Sequence, residues 1–181
     1  RRGRQFEHIC KWYLTNAPEY KSLLSHVWLW NEWPGRWGVD CGIDLVAESK
    51  QGQLWAIQAK AYAPEYSIRK SDIDSFLSES ARGEFGFRLL IATTDSIGKN
   101  AQRTLESQAI PTSRRLLSDL GASGLEWPVN PESLHAKKPQ KAEPYPFQQE
   151  AIKRVVSGFA NNDKGQLRMA CGTGKTLVSL W

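Results

Sequence analysis

Cysteine is scarce in this chain: Cys10, Cys41 and Cys171 are the only three among 181 residues, and no Cys-x-x-Cys pair occurs. So sparse and odd a set excludes a disulfide framework and a zinc ribbon, and points to a reducing, cytoplasmic setting. Long hydrophobic runs are missing too. No apolar stretch approaches the ~20 residues of a membrane span, and Arg1-Arg2-Gly3-Arg4 leads into no signal-peptide core. A soluble protein without a membrane partner is expected. His8, His26 and His135 show no spacing that suits a zinc site or a nucleophile–base pair.

An excess of either charge is nearly absent from the first two thirds. Residues 1–130 carry 16 Lys+Arg against 15 Asp+Glu, whereas residues 131–181 carry 8 against 4, giving the overall +5. A nucleic-acid role for the larger part must therefore rest on particular residues and not on its global field. What is present is ordinary globular material, 40% hydrophobic and 24% charged, so wholesale disorder is excluded. At ~150 residues per domain the chain holds one whole domain and an extension, and it is long enough to bury a core without staples.

Hydrophobic spacing predicts a helix over 3–16, with Phe6, Ile9, Cys10, Tyr13 and Leu14 on one face. Strands are expected over 43–48 and 54–60, joined by a tight turn at Lys50-Gln51-Gly52, and a further buried strand over 88–94. Helices are expected over 71–81 and 98–108, with a small element over 115–120. Four of the eight tryptophans fall between Val27 and Trp37. They suit core packing better than stacking on bases, because indoles bury large apolar areas. Five of the nine prolines fall between Pro128 and Pro146, and with Lys137, Lys138 and Lys141 they mark a linker over 128–144. Residues 1–127 then form the first domain, and 145–181 begin a second. That second unit starts with a helix over 147–159, its face made by Ile152, Val155, Val156 and Phe159, and continues with a strand over 166–170.

Asp44, Gln58 and Lys60 are the informative residues of the first domain, with Glu7 and Asp40 as accessories. In an antiparallel hairpin centred on Gln51, positions summing to 102 face each other, so Asp44 opposes Gln58. Lys60 shares the face by the two-residue period of a strand. A carboxylate and an amide oxygen there suit a hard divalent cation. Such a cation polarises a phosphate and acidifies a bound water, while Lys60 orients that water or offsets developing charge. Taken alone, an Asp followed by Gln-x-Lys also arises by accident, leaving Lys60 a solvated strand end and Glu7 a charge on an outer helix face.

The order of motifs narrows the choice. Arg4-Gln5-Phe6-Glu7, Gly38-Val39-Asp40-Cys41-Gly42-Ile43-Asp44-Leu45, Ile57-Gln58-Ala59-Lys60 and Leu90-Ile91-Ala92-Thr93-Thr94 together resemble the Mrr-like branch of the restriction-endonuclease (PD-(D/E)xK) superfamily. That resemblance implies an α/β fold, a mixed β-sheet flanked by helices, and metal-dependent cleavage of double-stranded DNA with Mg2+ or Mn2+. It makes Asp44 the metal-binding aspartate, Gln58 a metal ligand in place of the usual acidic residue, Lys60 the catalytic lysine and Glu7 a supporting acid. Cys41 stands where the family commonly has glycine.

In the second unit, Cys171-Gly172-Thr173-Gly174-Lys175-Thr176 follows an apolar segment and opens a helical pattern. Glycines there let backbone N–H groups approach phosphates at a helix N-terminus. Gly172, Thr173 and Gly174 would cradle ATP, Lys175 would reach its β/γ-phosphates, and the Thr176 hydroxyl would hold Mg2+. Met169 occupies the place of the loop's first glycine. The segment nonetheless resembles the Walker A motif of superfamily 2 helicases of restriction enzymes. Pro146-Phe147-Gln148-Gln149 resembles their adenine-reading Q motif, with Gln148 as the base contact. This implies the start of a RecA-like helicase or translocase domain. No acidic Walker B segment follows, so these residues alone complete no ATPase site.

The combination resembles the N-terminal part of single-polypeptide type I restriction–modification enzymes. It implies as partners double-stranded DNA, the remaining helicase, methyltransferase and target-recognition parts of one polypeptide, and a transient nuclease dimer. Two alternatives stay open: a helicase–nuclease of DNA repair or another antiviral defence, and a nuclease-like fold that only binds DNA or docks.

Overall fold

Pro18 cannot continue the helix that precedes it but is well placed to start another. In the computed structural model, α1 (Arg2–Asn16) therefore gives way to α2 (Pro18–Leu23). The structure describes residues 2–38, 42–128, 144–168 and 178. The chain divides into two units, Arg1–Pro139 and Gln140–Trp181.

The first unit is built on five strands: β1 (Leu24–Leu29), β2 (Leu45–Ser49), β3 (Leu54–Lys60), β4 (Phe85–Ala92) and β5 (Thr112–Arg115). They lie side by side in sequence order. β1–β2 and β2–β3 are antiparallel, and β3–β4 and β4–β5 are parallel. This is the mixed sheet expected. Between the parallel strands run α3 (Asp74–Glu79) and α4 (Lys99–Glu106), and α5 (Leu117–Gly121) follows β5.

Strand alternation sorts the core into two layers. Leu45, Ala47, Ile57, Ala59, Leu89 and Ile91 pack with Phe6, Cys10, Tyr13 and Leu14 of α1. Val46, Ala56, Leu90 and Ala92 pack on the opposite face with Ile73, Phe76, Leu77, Ala101 and Leu105. Each fully buried aliphatic side chain contributes about 1.5–3 kcal/mol, and both faces of β2, β3 and β4 are covered.

Several boundaries differ from expectation. β1 was hidden in the aromatic stretch, and β5, Thr-Ser-Arg-Arg, has no apolar pattern at all. Both are edge strands, where a partner on one side supplies the ladder and burial is partial. β4 begins three residues earlier than its apolar run because Phe85 and Phe87 already pair with Leu54 and Trp55 of β3.

The tryptophan cluster packs as expected. Trp30 and Trp33 are buried, and Trp37 sits edge-on to both, at ring-centre distances of 5.0 and 6.0 Å. Trp33 also meets Phe85 at 5.6 Å, joining the loop to β4.

In the second unit α6 (Pro146–Phe159) forms as expected. Its face differs, however, for Ile152 and Val155 are half-buried while Val156 and Phe159 are exposed. Gln166–Arg168 of the expected strand are not extended in a ladder, since no described residue pairs with them; Met169 and Ala170 lie outside the described residues. So does most of the expected linker. No described helix is long and apolar enough to cross a membrane.

Candidate active site

The hairpin of β2 and β3 sets the site. Its observed pairs are Leu45–Ile57, Val46–Ala56, Ala47–Trp55 and Glu48–Leu54, all summing to 102. Asp44 lies one residue before β2, where the paired register ends at Leu45–Ile57 and the bonding slips by one residue. Its N–H donates to the Ile57 carbonyl at 2.9 Å, and the Ala59 N–H donates to its Oδ2 at 2.7 Å. Asp44 therefore grips β3 on both sides of Gln58. Its carboxylate is drawn to the strand backbone, a turn that side-chain alternation by itself does not reveal.

Gln58 is 1% exposed, and its Nε2 donates to the Gly42 carbonyl at 3.1 Å. This bond fixes which way the amide faces and leaves Oε1 buried without a partner. A buried carbonyl oxygen with nothing to accept costs roughly 1–3 kcal/mol, so such an atom calls for an explanation. Gly42 is what makes the arrangement possible. Its φ of +75° favours glycine, and a Cβ there would come within 2.8 Å of Ser75 Oγ and 3.1 Å of the Phe76 nitrogen.

Lys60 ends β3 two residues on, half-buried and on the same face as Gln58 and Ala56. Its carbonyl accepts the Thr93 N–H at 3.1 Å, which ties the strand end to β4. Glu7 lies one turn before Cys10 on α1. Burial first, then the charges of Asp44 and Glu7, pushes the buried Cys10 thiol well above its ordinary value. Both carboxylates contribute to that shift.

The donor types fit a divalent metal of the hard class: the Asp44 carboxylate and the orphaned Gln58 oxygen are both oxygen ligands. Among the described residues no three of His, Cys, Asp and Glu gather as a metal cluster. Asp40 and Cys41 lie outside the described residues. Sequence reasoning missed the Gly42 carbonyl and the Ala59 N–H, because backbone groups carry no residue signature. Gly-Ile-Asp was the available signal.

In the second unit Gln148 is buried in the first turn of α6, where its Oε1 accepts the Tyr145 N–H at 2.9 Å. Gly172, Thr173, Gly174, Lys175 and Thr176 lie outside the described residues.

The mixed sheet is that of a nuclease, and the chain belongs to the restriction endonuclease family, whose model matches residues 15–136. Residues 141–181 match the res subunit of type III restriction enzymes. Among solved structures the chain is similar to the ATP-dependent Type ISP restriction-modification enzyme LlaBIII bound to DNA, with 38% identity, a TM-score of 0.80 and 97% of this chain covered. It spans 11% of the length of that enzyme. The restriction endonuclease MspJI in complex with a 27-mer oligonucleotide is more remote, at 17% identity and a TM-score of 0.49 over 67% of this chain and 27% of that one. No curated protein matches the sequence.

Proposed function

We propose that residues 1–127 hydrolyse phosphodiester bonds of double-stranded DNA with a divalent metal, Mg2+ or Mn2+, and that residues 145–181 begin an ATP-driven translocase of a single-polypeptide restriction enzyme. The observation that carries the nuclease reading is the bare Gln58 Oε1 on the strand whose backbone, one residue on, pins the Asp44 carboxylate. Asp44 and Gln58 would hold the metal. Bound there, it would polarise the scissile phosphate and lower the pKa of an attacking water.

Each residue then has a distinct task. Asp44, locked by the Ala59 N–H, presents a negative charge in a fixed place and is spared reorganisation during the reaction. Gly42 takes the Gln58 Nε2 and so leaves the amide oxygen as the atom open to a ligand. Lys60 places its ammonium where negative charge accumulates as the bond breaks, and Glu7 adds acidic character from α1. Gln148 and residues 172–176 would serve adenine and phosphate binding with Mg2+ in the motor, together with the remaining helicase, methyltransferase and target-recognition parts. A single catalytic patch cuts one strand at a time, so double-strand cleavage calls for a second nuclease copy.

Nicking of supercoiled plasmid by the chain with Mg2+ or Mn2+ tests this reading, beside Asp44→Ala and Lys60→Ala. Metal-dependent nicking lost in both variants is the expected result. Equal nicking by all three proteins would sink the assignment.

A further inference from the structure

The nine residues after Lys60 do more than connect β3 to α3. They leave the carboxyl ends of the parallel strands β3 and β4, the edge where ligands settle on open α/β sheets. Two threonines at the end of β4 pin them down. Thr93 Oγ1 donates to the Tyr62 carbonyl at 2.6 Å, and the buried Thr94 Oγ1 contacts the carbonyls of Tyr66 at 2.6 Å and Pro64 at 2.9 Å. Ile68, fully buried, bridges to Ile97 and closes the far end.

On this frame the Tyr62 and Tyr66 rings stack with centres 4.3 Å apart. Tyr66 Oη donates to Asp72 Oδ2 at 2.9 Å, and the Arg69 N–H donates to the same oxygen at 2.7 Å. Burial, and then the Asp72 charge, pushes the Tyr62 hydroxyl up to about 12. Arg69 lies with its Cζ 5.9 Å from the Tyr66 ring centre, within cation–π reach. Its neighbour Lys70 is bound to Asp74 at 2.6 Å, but no ion pair is formed by Arg69 among the described residues. This exposed guanidinium lies over a ring, on the segment that follows Lys60 out of β3. Its planar fork suits phosphate oxygens.

We propose that Arg69 contacts a DNA phosphate a few nucleotides from the scissile bond, with Tyr62, Tyr66 and Asp72 as the residues that position it. The inference rests on the nuclease reading for where the DNA lies. A phosphate contact of this kind sets register on the duplex and carries no sequence information.

Binding of the full chain to fluorescent duplexes of two unrelated sequences, in Ca2+ and at several salt concentrations, tests it without requiring cleavage. Arg69→Ala is expected to weaken both duplexes alike, by about tenfold, and to flatten the log–log salt dependence by about 1. Tyr66→Phe, which keeps the ring and loses the Asp72 tie, is expected to fall between. Unchanged affinity and slope for Arg69→Ala, with an unchanged melting curve, overturns the proposal. No binding by the native chain overturns it as well. If Arg69→Ala loses binding while no protein nicks plasmid, the phosphate contact stands and the nuclease reading fails.

Discussion

Gln58 combines a satisfied donor with an unsatisfied acceptor in a fully buried amide, a state that folding alone does not favour. Replacing it by leucine removes the orphaned oxygen but also the donor to Gly42, two changes of opposite sign. Gln58→Leu should therefore melt within about 1 kcal/mol of the native protein while losing metal-dependent nicking. Calorimetric metal titration and a denaturation curve on the same sample check both halves. Gly42→Ala should behave in the opposite manner. Its positive φ and the 2.8 Å approach to Ser75 put the strain into the fold itself, so a loss of about 1–3 kcal/mol in denaturant unfolding is expected.

At the scale of elements, Arg88 stands out as a buried cation whose partners are neutral. From β4 its Nε donates to Ser80 Oγ at 2.7 Å, one guanidinium nitrogen to the Leu77 carbonyl at 2.8 Å, and the other to Gln108 Oε1 at 2.9 Å. It thereby latches the end of α3 and the residues after α4 to the sheet, and its charge favours the carbonyl end of α3. Arg88→Met keeps the packing volume but strands those acceptors. Unfolding in urea should reveal a cost of about 1–3 kcal/mol. On the other face, Tyr20 of α2 is nearly buried, meeting Tyr13 at 5.4 Å with Arg115 of β5 over its ring at 5.7 Å. Burial pushes its hydroxyl up to about 12, against the opposing pull of Arg115. A raised value in the folded state means full stabilisation below the ordinary value of 10 and loss as pH climbs through 12. Denaturant midpoints should hold steady to about pH 10 and then fall, and Tyr20→Phe should flatten that decline.

At the scale of the molecule, the division at Pro139 and Gln140 implies that the nuclease unit folds on its own core. A chain ending at Pro139 should give the same far-ultraviolet spectrum per sheet residue and a melting temperature close to that of the nuclease transition in the full chain. A large drop would show that the second unit supports the first. The helix α6, by contrast, is 14 residues long and leaves Phe147, Val156 and Phe159 more than half exposed. Helices of that length are marginal alone in water, so a peptide of residues 144–168 should show little helicity.

What the sequence determined by itself is the part carried by short-range pattern. The 3.6-residue stripe of α1, the two-residue alternation of β2 and β3 and the glycine turn between them set the hairpin register. That register runs as far as Leu45 and Ile57, and Asp44 follows one residue before it. The order of Phe-Glu, Gly-Ile-Asp and Gln-x-Lys identified the family, because side-chain chemistry is written in the residues. Only the tertiary structure decided the rest. β1 and β5 exist because neighbouring strands offer them a ladder, which Thr-Ser-Arg-Arg does not announce. The Gln58 oxygen is bare because a glycine carbonyl sixteen positions away takes its nitrogen, and Asp44 is locked by a backbone N–H. Arg69 lies over Tyr66, on a segment that two threonines just past β4 tie down. Each of these depends on backbone groups or distant partners, and a linear reading of residue types contains neither.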